Sequence, residues 1–130
     1  MALTHVTSIR NSLADLVVDA IDAGTTDASG DIQIATSSAF TTVLATILFS
    51  APPAFGAASG GTATMNGAPK EDSNAAGGGT AANFRCRDRD NNEVFRGTVS
   101  TSGADMNLSS TTINSGDAVR INSFTYSSSP

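Results

Sequence analysis

The side chains from Asp88 to Glu93 are the strongest candidates for chemistry in this chain. Their oxygen atoms alternate along the sequence as the ligands of a calcium loop do. The sixth position is Glu93 where an EF-hand turn needs glycine, and the twelfth is Val99 where it needs a bidentate glutamate. Asp and Asn are also natural turn residues, so the run predicts a hairpin turn and no metal site.

A catalytic nucleophile and its base would have to come from Cys86 and His5, the single cysteine and the single histidine. Cys86 alternates with Phe84 in a strand pattern, which is typical of a small buried hydrophobe. His5 lies in a polar N-terminal stretch, where exposure or a contact role is more usual than catalysis. We therefore predict no catalytic residues and no enzyme.

Glycine groups at 60–61 and 77–79 are the remaining candidates, as phosphate-binding loops. Neither ends in the Lys-Ser/Thr pair that such a loop uses to hold a nucleotide. They indicate flexible connections, and we predict no cofactor.

Length, charge and hydropathy limit the class of protein. The 130 residues fit one domain, 1–130, and the net charge of −5 disfavours nucleic-acid binding, which needs a basic surface. A single cysteine fits folding in a reducing cytoplasm. The N-terminus has no signal-peptide pattern, and the most apolar stretch, 43–49, is far shorter than the roughly 20 residues of a membrane span. We expect a soluble protein that contacts neither nucleic acid nor membrane.

Charge is unevenly distributed along the chain. Five aspartates and a single arginine lie in residues 1–31, whereas four arginines lie within twelve residues further on. This pattern fits an ordinary solvated surface or electrostatic matching between neighbouring subunits. For the second interpretation, the candidate interface residues are Arg85, Arg87 and Arg89.

One amphipathic helix is predicted at 7–23. Its apolar side chains recur with a helical period, while Arg10, Asp15, Asp19 and Asp22 occupy the opposite face. We expect replacement of Asp15 by alanine to be nearly silent. The apolar face is a candidate docking surface, for the chain's own sheet or for a neighbour, and consists of Ile9, Leu13, Leu16, Val17, Ala20 and Ile21.

Short alternating strand patterns fill the rest of the chain. They include a core strand near 43–49 and a hairpin formed by 82–87 and 94–99, with a flexible loop at 66–80. The fold class predicted is mainly β: a single β-sandwich or jelly-roll-like domain of six to seven short strands at 31–126, with one N-terminal amphipathic α-helix.

Three stretches, residues 8–22, 55–61 and 97–108, resemble small virion-associated proteins encoded in the genomes of tailed bacteriophages. The resemblance covers nearly the whole chain and carries no catalytic motif. It implies a structural protein of the virion, with a capsid decoration or cement protein as the leading form. The implied partners are the major capsid protein or other virion subunits, including further copies of the chain as a homo-oligomer.

Two other roles stay open. A neck or tail component would use a similar β domain in a head-tail connector ring or to attach a fibre. A receptor- or glycan-binding module would need exposed aromatic platforms, for which only Tyr126 and a few phenylalanines are available.

Overall fold

The chain folds as one N-terminal helix followed by short β-strands. We use a computed structural model and describe residues 3–128 of it. Within that range the helix α1 spans Thr7–Ala20, and the strands are β1 (Asp31–Ala35), β2 (Val43–Leu48), β3 (Thr62–Thr64), β4 (Lys70–Asp72), β5 (Gly79–Thr80), β6 (Asn83–Arg87), β7 (Glu93–Ser100), β8 (Met106–Asn107), β9 (Thr112–Ile113), β10 (Val119–Ile121) and β11 (Thr125–Ser127).

This architecture confirms the prediction of a mainly β fold with one N-terminal helix. The strands of the described part number eleven, more than the six or seven expected. Several of them are only two or three residues long, which is too short to produce a visible alternation of apolar and polar side chains.

A five-stranded sheet, in the order β2-β1-β6-β7-β8, is the largest element. Its pairs are antiparallel except for β7 with β8. The predicted hairpin is confirmed as β6 and β7, although both strands differ from the expected bounds by a residue. Three two-stranded sheets, β10-β4, β11-β3 and β5-β9, complete the fold.

The core lies on one face of this large sheet. Ile32 of β1 stands between Ile47 of β2 and Cys86 of β6, and all three are fully buried. Phenylalanines from other segments close over this layer: the ring of Phe124 lies 5.5 Å from Phe84. Burial of these side chains forms one continuous hydrophobic cluster, which also includes Val18 and Ile21 from the helix region.

The region 66–80, expected to be a flexible loop, contains β4 and β5 and covers an edge of the large sheet. Asp72 Oδ2 accepts a hydrogen bond of 3.1 Å from the backbone N–H of Thr46 in the edge strand β2. The N–H of Ala76 donates to the carbonyl of Leu44 in the same strand, at 3.0 Å. The loop prediction is therefore wrong for part of this region, because the side chain of Asp72 and the backbone of Ala76 bind backbone groups of the sheet.

The helix is also shorter than the predicted 7–23. After Ala20 the backbone N–H groups of Ile21, Asp22 and Ala23 each donate to the carbonyl three residues earlier. Such bonds form tight turns and end the α-helical pattern. Gly24 follows with φ of +107°, a conformation that glycine adopts without strain.

Candidate subunit interface

Polar side chains hold the helix against the segment that leads into β3. Asn11 Oδ1 accepts a hydrogen bond of 2.7 Å from the N–H of Gly61, and Asp15 Oδ1 accepts one of 2.8 Å from the N–H of Ala58. Past the end of the helix, Asp22 Oδ1 accepts one of 3.0 Å from Ala54. This segment makes few β-sheet hydrogen bonds of its own. The helix therefore supplies acceptors for the backbone N–H groups of the segment.

Small and medium apolar side chains fill the space beside these hydrogen bonds. Ala14, Val18 and Ile21 are all at most 1% exposed. The guanidinium group of Arg10 lies directly over Gly61, where a Cβ atom would stand 2.7 Å from Arg10 Nη2. A glycine at this position therefore permits the close approach of helix and strand.

This arrangement corrects the expected orientation of the helix. Arg10, Asp15 and Asp22 were expected on the solvent side, yet they face the domain. Burial raises the pKa of Asp22 above its ordinary value of 3.8, although the hydrogen bond from Ala54 opposes the shift. The helix region thus packs on its own domain through polar side chains together with Ala14, Val18 and Ile21.

The opposite side of the helix is apolar and exposed. We call Ile9, Leu13, Leu16 and Ala20, with Val6 at the N-cap just before the helix, the helix seam, because they recur at alternating intervals of three and four residues. Val6, Ile9 and Leu16 are 68%, 47% and 70% exposed. Leu13 and Ala20 are partly buried.

The docking face predicted from the sequence is therefore divided by the structure. Ile21 packs into the chain's own core, while Ile9, Leu13, Leu16, Val17 and Ala20 lie outside it. The face as a whole does not cover the chain's own sheet. Val6, and Leu3 three residues earlier at 86% exposure, extend the exposed surface and were missed. The interval of three residues between Val6 and Ile9 was the signal that could have found Val6.

The arginine segment lies elsewhere and is already bound within the chain. Arg87 makes two hydrogen bonds to Asp31, of 2.8 and 2.7 Å, and Arg85 donates to Gln33 at 2.8 Å. Arg89 donates to the carbonyl of Asp27 at 2.8 Å. The charges of these arginines are thus partly satisfied inside the domain. Their role in matching another subunit stays a prediction.

Arg96 and Glu93 continue this polar face of the sheet. Two hydrogen bonds join them, and they lower the pKa of Glu93 below its ordinary value of 4.5. The guanidinium carbons of Arg85 and Arg96 lie 4.5 and 5.1 Å from the ring centre of Phe40, in cation–π geometry. This face is therefore a set of internal contacts organised around one aromatic ring.

The run from Asp88 forms the predicted turn. Asp88 Oδ1 accepts hydrogen bonds of 2.9 Å from the N–H groups of Asp90 and Asn92. Asp90 Oδ1 accepts bonds from the N–H groups of Thr25 and Thr26, and these lower its pKa. These carboxylates are thus engaged with backbone, and residues 3–128 contain no group of three or more His, Cys, Asp or Glu that could hold a metal ion.

Cys86 is fully buried, which confirms the prediction that it belongs to the core. Burial raises the pKa of its thiol well above 9.0. The thiolate, the reactive form, is therefore strongly disfavoured at neutral pH.

A shallow cleft of about 260 Å³ lies where β7 approaches β11. The rings of Phe95 and Tyr126 line it, with centroids 5.1 Å apart, and the polar groups of Arg96 and Asp105 stand beside them. Asp105 accepts hydrogen bonds from the N–H and hydroxyl of Thr98. The cleft is slightly below the usual range of small-molecule sites, roughly 300–1,000 Å³.

The chain matches no protein-family model, and no curated protein or solved structure is significantly similar to it. Among the described residues, no helix is long and apolar enough to cross a membrane.

Proposed function

We propose that the chain is a non-enzymatic structural subunit of a tailed-phage virion, with capsid decoration or cement as its role. The observation that carries this proposal is the helix seam. Soluble monomers rarely expose large contiguous apolar patches, and such patches usually mark contacts with other molecules. The resemblance of residues 8–22, 55–61 and 97–108 to virion-associated proteins supports the setting.

The proposed mechanism is burial of apolar surface at contacts between subunits. Fully burying one Leu, Ile or Val side chain stabilises a contact by about 1.5–3 kcal/mol. Ile9 and Leu16 would contribute in this way, since much of each side chain is exposed in the single chain. A modest contact becomes effective when many copies bind one particle, because each bound subunit holds its neighbours close. The partners in this proposal are the major capsid protein and other copies of the chain.

Counting copies in purified particles tests the proposal. Quantitative mass spectrometry against labelled peptides of this chain and of the major capsid protein gives the ratio directly. We expect copies in the hundreds. Absence of the chain from purified particles overturns the virion assignment altogether.

The same measurement separates decoration from the neck or tail alternative. A ring or fibre attachment site at the tail axis has cyclic symmetry and would hold about three to twelve copies. A count in that range replaces the decoration role with the neck or tail role.

A second candidate, a saccharide-binding module, is favoured by the cleft between Phe95 and Tyr126. Aromatic rings beside a carboxylate and a guanidinium offer stacking and hydrogen bonds to a sugar. Titration with host-surface polysaccharide, followed by NMR shifts, tests it. Shifts confined to the cleft and abolished by Tyr126→Ala would support this candidate, and unchanged spectra would exclude it for that polysaccharide.

A further inference from the structure

We propose that the helix seam binds the seam of a second copy of this chain, with the two helices antiparallel. This inference rests on the proposed function and deepens it by naming the partner at the seam. The copies would be related by a two-fold axis, the commonest symmetry of soluble oligomers.

The spacing of the seam favours a helix as its partner. Val6, Ile9, Leu13, Leu16 and Ala20 follow the alternation of three and four residues that marks a coiled-coil surface. Side chains at these intervals form one narrow stripe, and they fit into the spaces between side chains of a facing helix with the same spacing. Every copy of the chain carries that matching surface.

The seam lies on the side of the helix that faces away from the chain's own domain, which leaves room for a second helix. The side chains that anchor the helix to its own domain, Asn11, Ala14, Asp15 and Val18, lie on one side. At about 100° per residue, the centre of the seam lies roughly 170° around the helix from them. A second helix can therefore approach without displacing any anchoring contact.

Charge favours the antiparallel arrangement. The first turn of the helix contains no acidic residue and the last turn no basic one, while Asp19 lies in the last turn. The negative side chain and the negative end of the helix dipole thus coincide. In an antiparallel pair, Asp19 of one copy lies beside the positive N-terminal end of the other. A parallel pair would place like ends together.

One register pairs four of the five seam side chains, all except Ala20. With Ile9 opposite the partner copy's residue 13, Val6 lies opposite the partner copy's residue 16, and the two-fold axis repeats both contacts. Leu3, just before the helix, then reaches the last helical turn of the partner copy. This register covers the most exposed apolar side chains of the N-terminal region, Leu3, Val6 and Leu16.

The extent of the seam sets the expected affinity. A helix of 14 residues is about 21 Å long, so the pair buries less than the roughly 800 Å² per partner of a standard stable interface. We expect a reversible dimer with a Kd in the range of about 1–100 μM. Attachment to a particle would raise the local concentration above that value.

Sedimentation velocity of the full chain over a concentration series tests the pairing, without any particles. Leu16→Glu is expected to weaken dimerisation at least about tenfold. Leu48→Glu is the matched control, because Leu48 is 60% exposed but lies on the large sheet. The pairing is overturned if the natural chain stays monomeric up to about 1 mM, or if the two variants behave alike.

Disulfide formation tests the orientation. Ile9→Cys and Leu13→Cys proteins are oxidised separately and as an equimolar mixture, and intact mass identifies the products. The antiparallel register predicts a disulfide joining one molecule of each variant. Self-linked products in the separate samples, or no link although the natural chain dimerises, would overturn the orientation. Buried Cys86 is not expected to compete.

These outcomes are independent of the virion assignment. A dimer in solution with no copies in particles would keep the pairing and remove the proposed function. A monomer in solution with hundreds of copies per particle would do the reverse.

Discussion

Asp15 Oδ1 accepts a hydrogen bond of 2.8 Å from the backbone N–H of Ala58, across 43 positions of the sequence. This single contact shows that the helix turns a charged side chain toward its own domain. Together with Asn11 and Asp22, it ties the helix to a segment that has few sheet partners.

Removing this acceptor should therefore be costly, contrary to the expectation from sequence. We expect Asp15→Ala to lower the free energy of unfolding by about 1–3 kcal/mol, because the N–H of Ala58 loses its partner in a partly buried place. Urea denaturation followed by circular dichroism measures this. Asp19→Ala is the control, since Asp19 is exposed on the same helix. Equal effects of the two changes would contradict the anchoring role of Asp15.

Truncating a side chain should reduce the stability of the fold much more on the inward side of the helix than on the outward side. Val18 is 1% exposed, so Val18→Ala should destabilise the fold by about 1.5–3 kcal/mol through lost burial. Leu16→Ala, at a site 70% exposed, should change the stability of the monomer by no more than about 0.5 kcal/mol. Thermal unfolding at low protein concentration, where dimers are dissociated, makes the comparison. A larger loss at Leu16 would place it in the core.

Arg87 should be the most sensitive arginine of the basic segment. Its partner Asp31 is 6% exposed and would remain as a poorly solvated charge after Arg87→Ala, at a cost of about 3 kcal/mol. Arg120→Ala is the control, because its ion pair with Glu71 is 4.0 Å long and exposed, and should contribute at most about 1 kcal/mol. Denaturant midpoints of both variants measure the difference. Similar losses for the two variants would show that the Arg87–Asp31 pair is no better shielded from water than the Arg120–Glu71 pair.

Asp22 offers a test by pH. Burial raises its pKa in the folded state, so the folded protein binds a proton more readily there and loses stability as pH rises through that pKa. Asp22→Asn keeps an acceptor for Ala54 and removes the charge. We expect it to be more stable than the natural chain at pH 7, by less than about 1 kcal/mol because solvent still screens the group.

That advantage should vanish below the ordinary pKa of 3.8, where the carboxyl group is protonated in both the folded and unfolded states. Denaturation curves of Asp22→Asn and of the natural chain at pH 7 and pH 3 check the sign of this difference in stability. Asp22→Ala, which lacks the acceptor, should be destabilised at both pH values. A stability gain for Asp22→Asn that persists at low pH would rule out the charge as its cause.

Periodicity was sufficient to predict the helix, the hairpin and the buried position of Cys86. It identified an apolar stripe on the helix but could not say what covers it. The inward side depends on Asn11 and Asp15 meeting unpaired N–H groups distant in sequence, and no local pattern reveals such partners. Strands such as Gly79–Thr80 were missed because two residues show no period, and their pairing depends on tertiary contacts.

The contacts of Asp72 and Ala76 with strand β2 protect an edge of the large sheet against aggregation. An outer strand with free backbone groups invites another molecule to add a strand, and repetition of that event yields fibres. Here a carboxylate and a neighbouring amide already occupy groups of Thr46 and Leu44. Strand-on-strand growth is thereby opposed along this border, and the proposed pairing of helices would leave that protection in place.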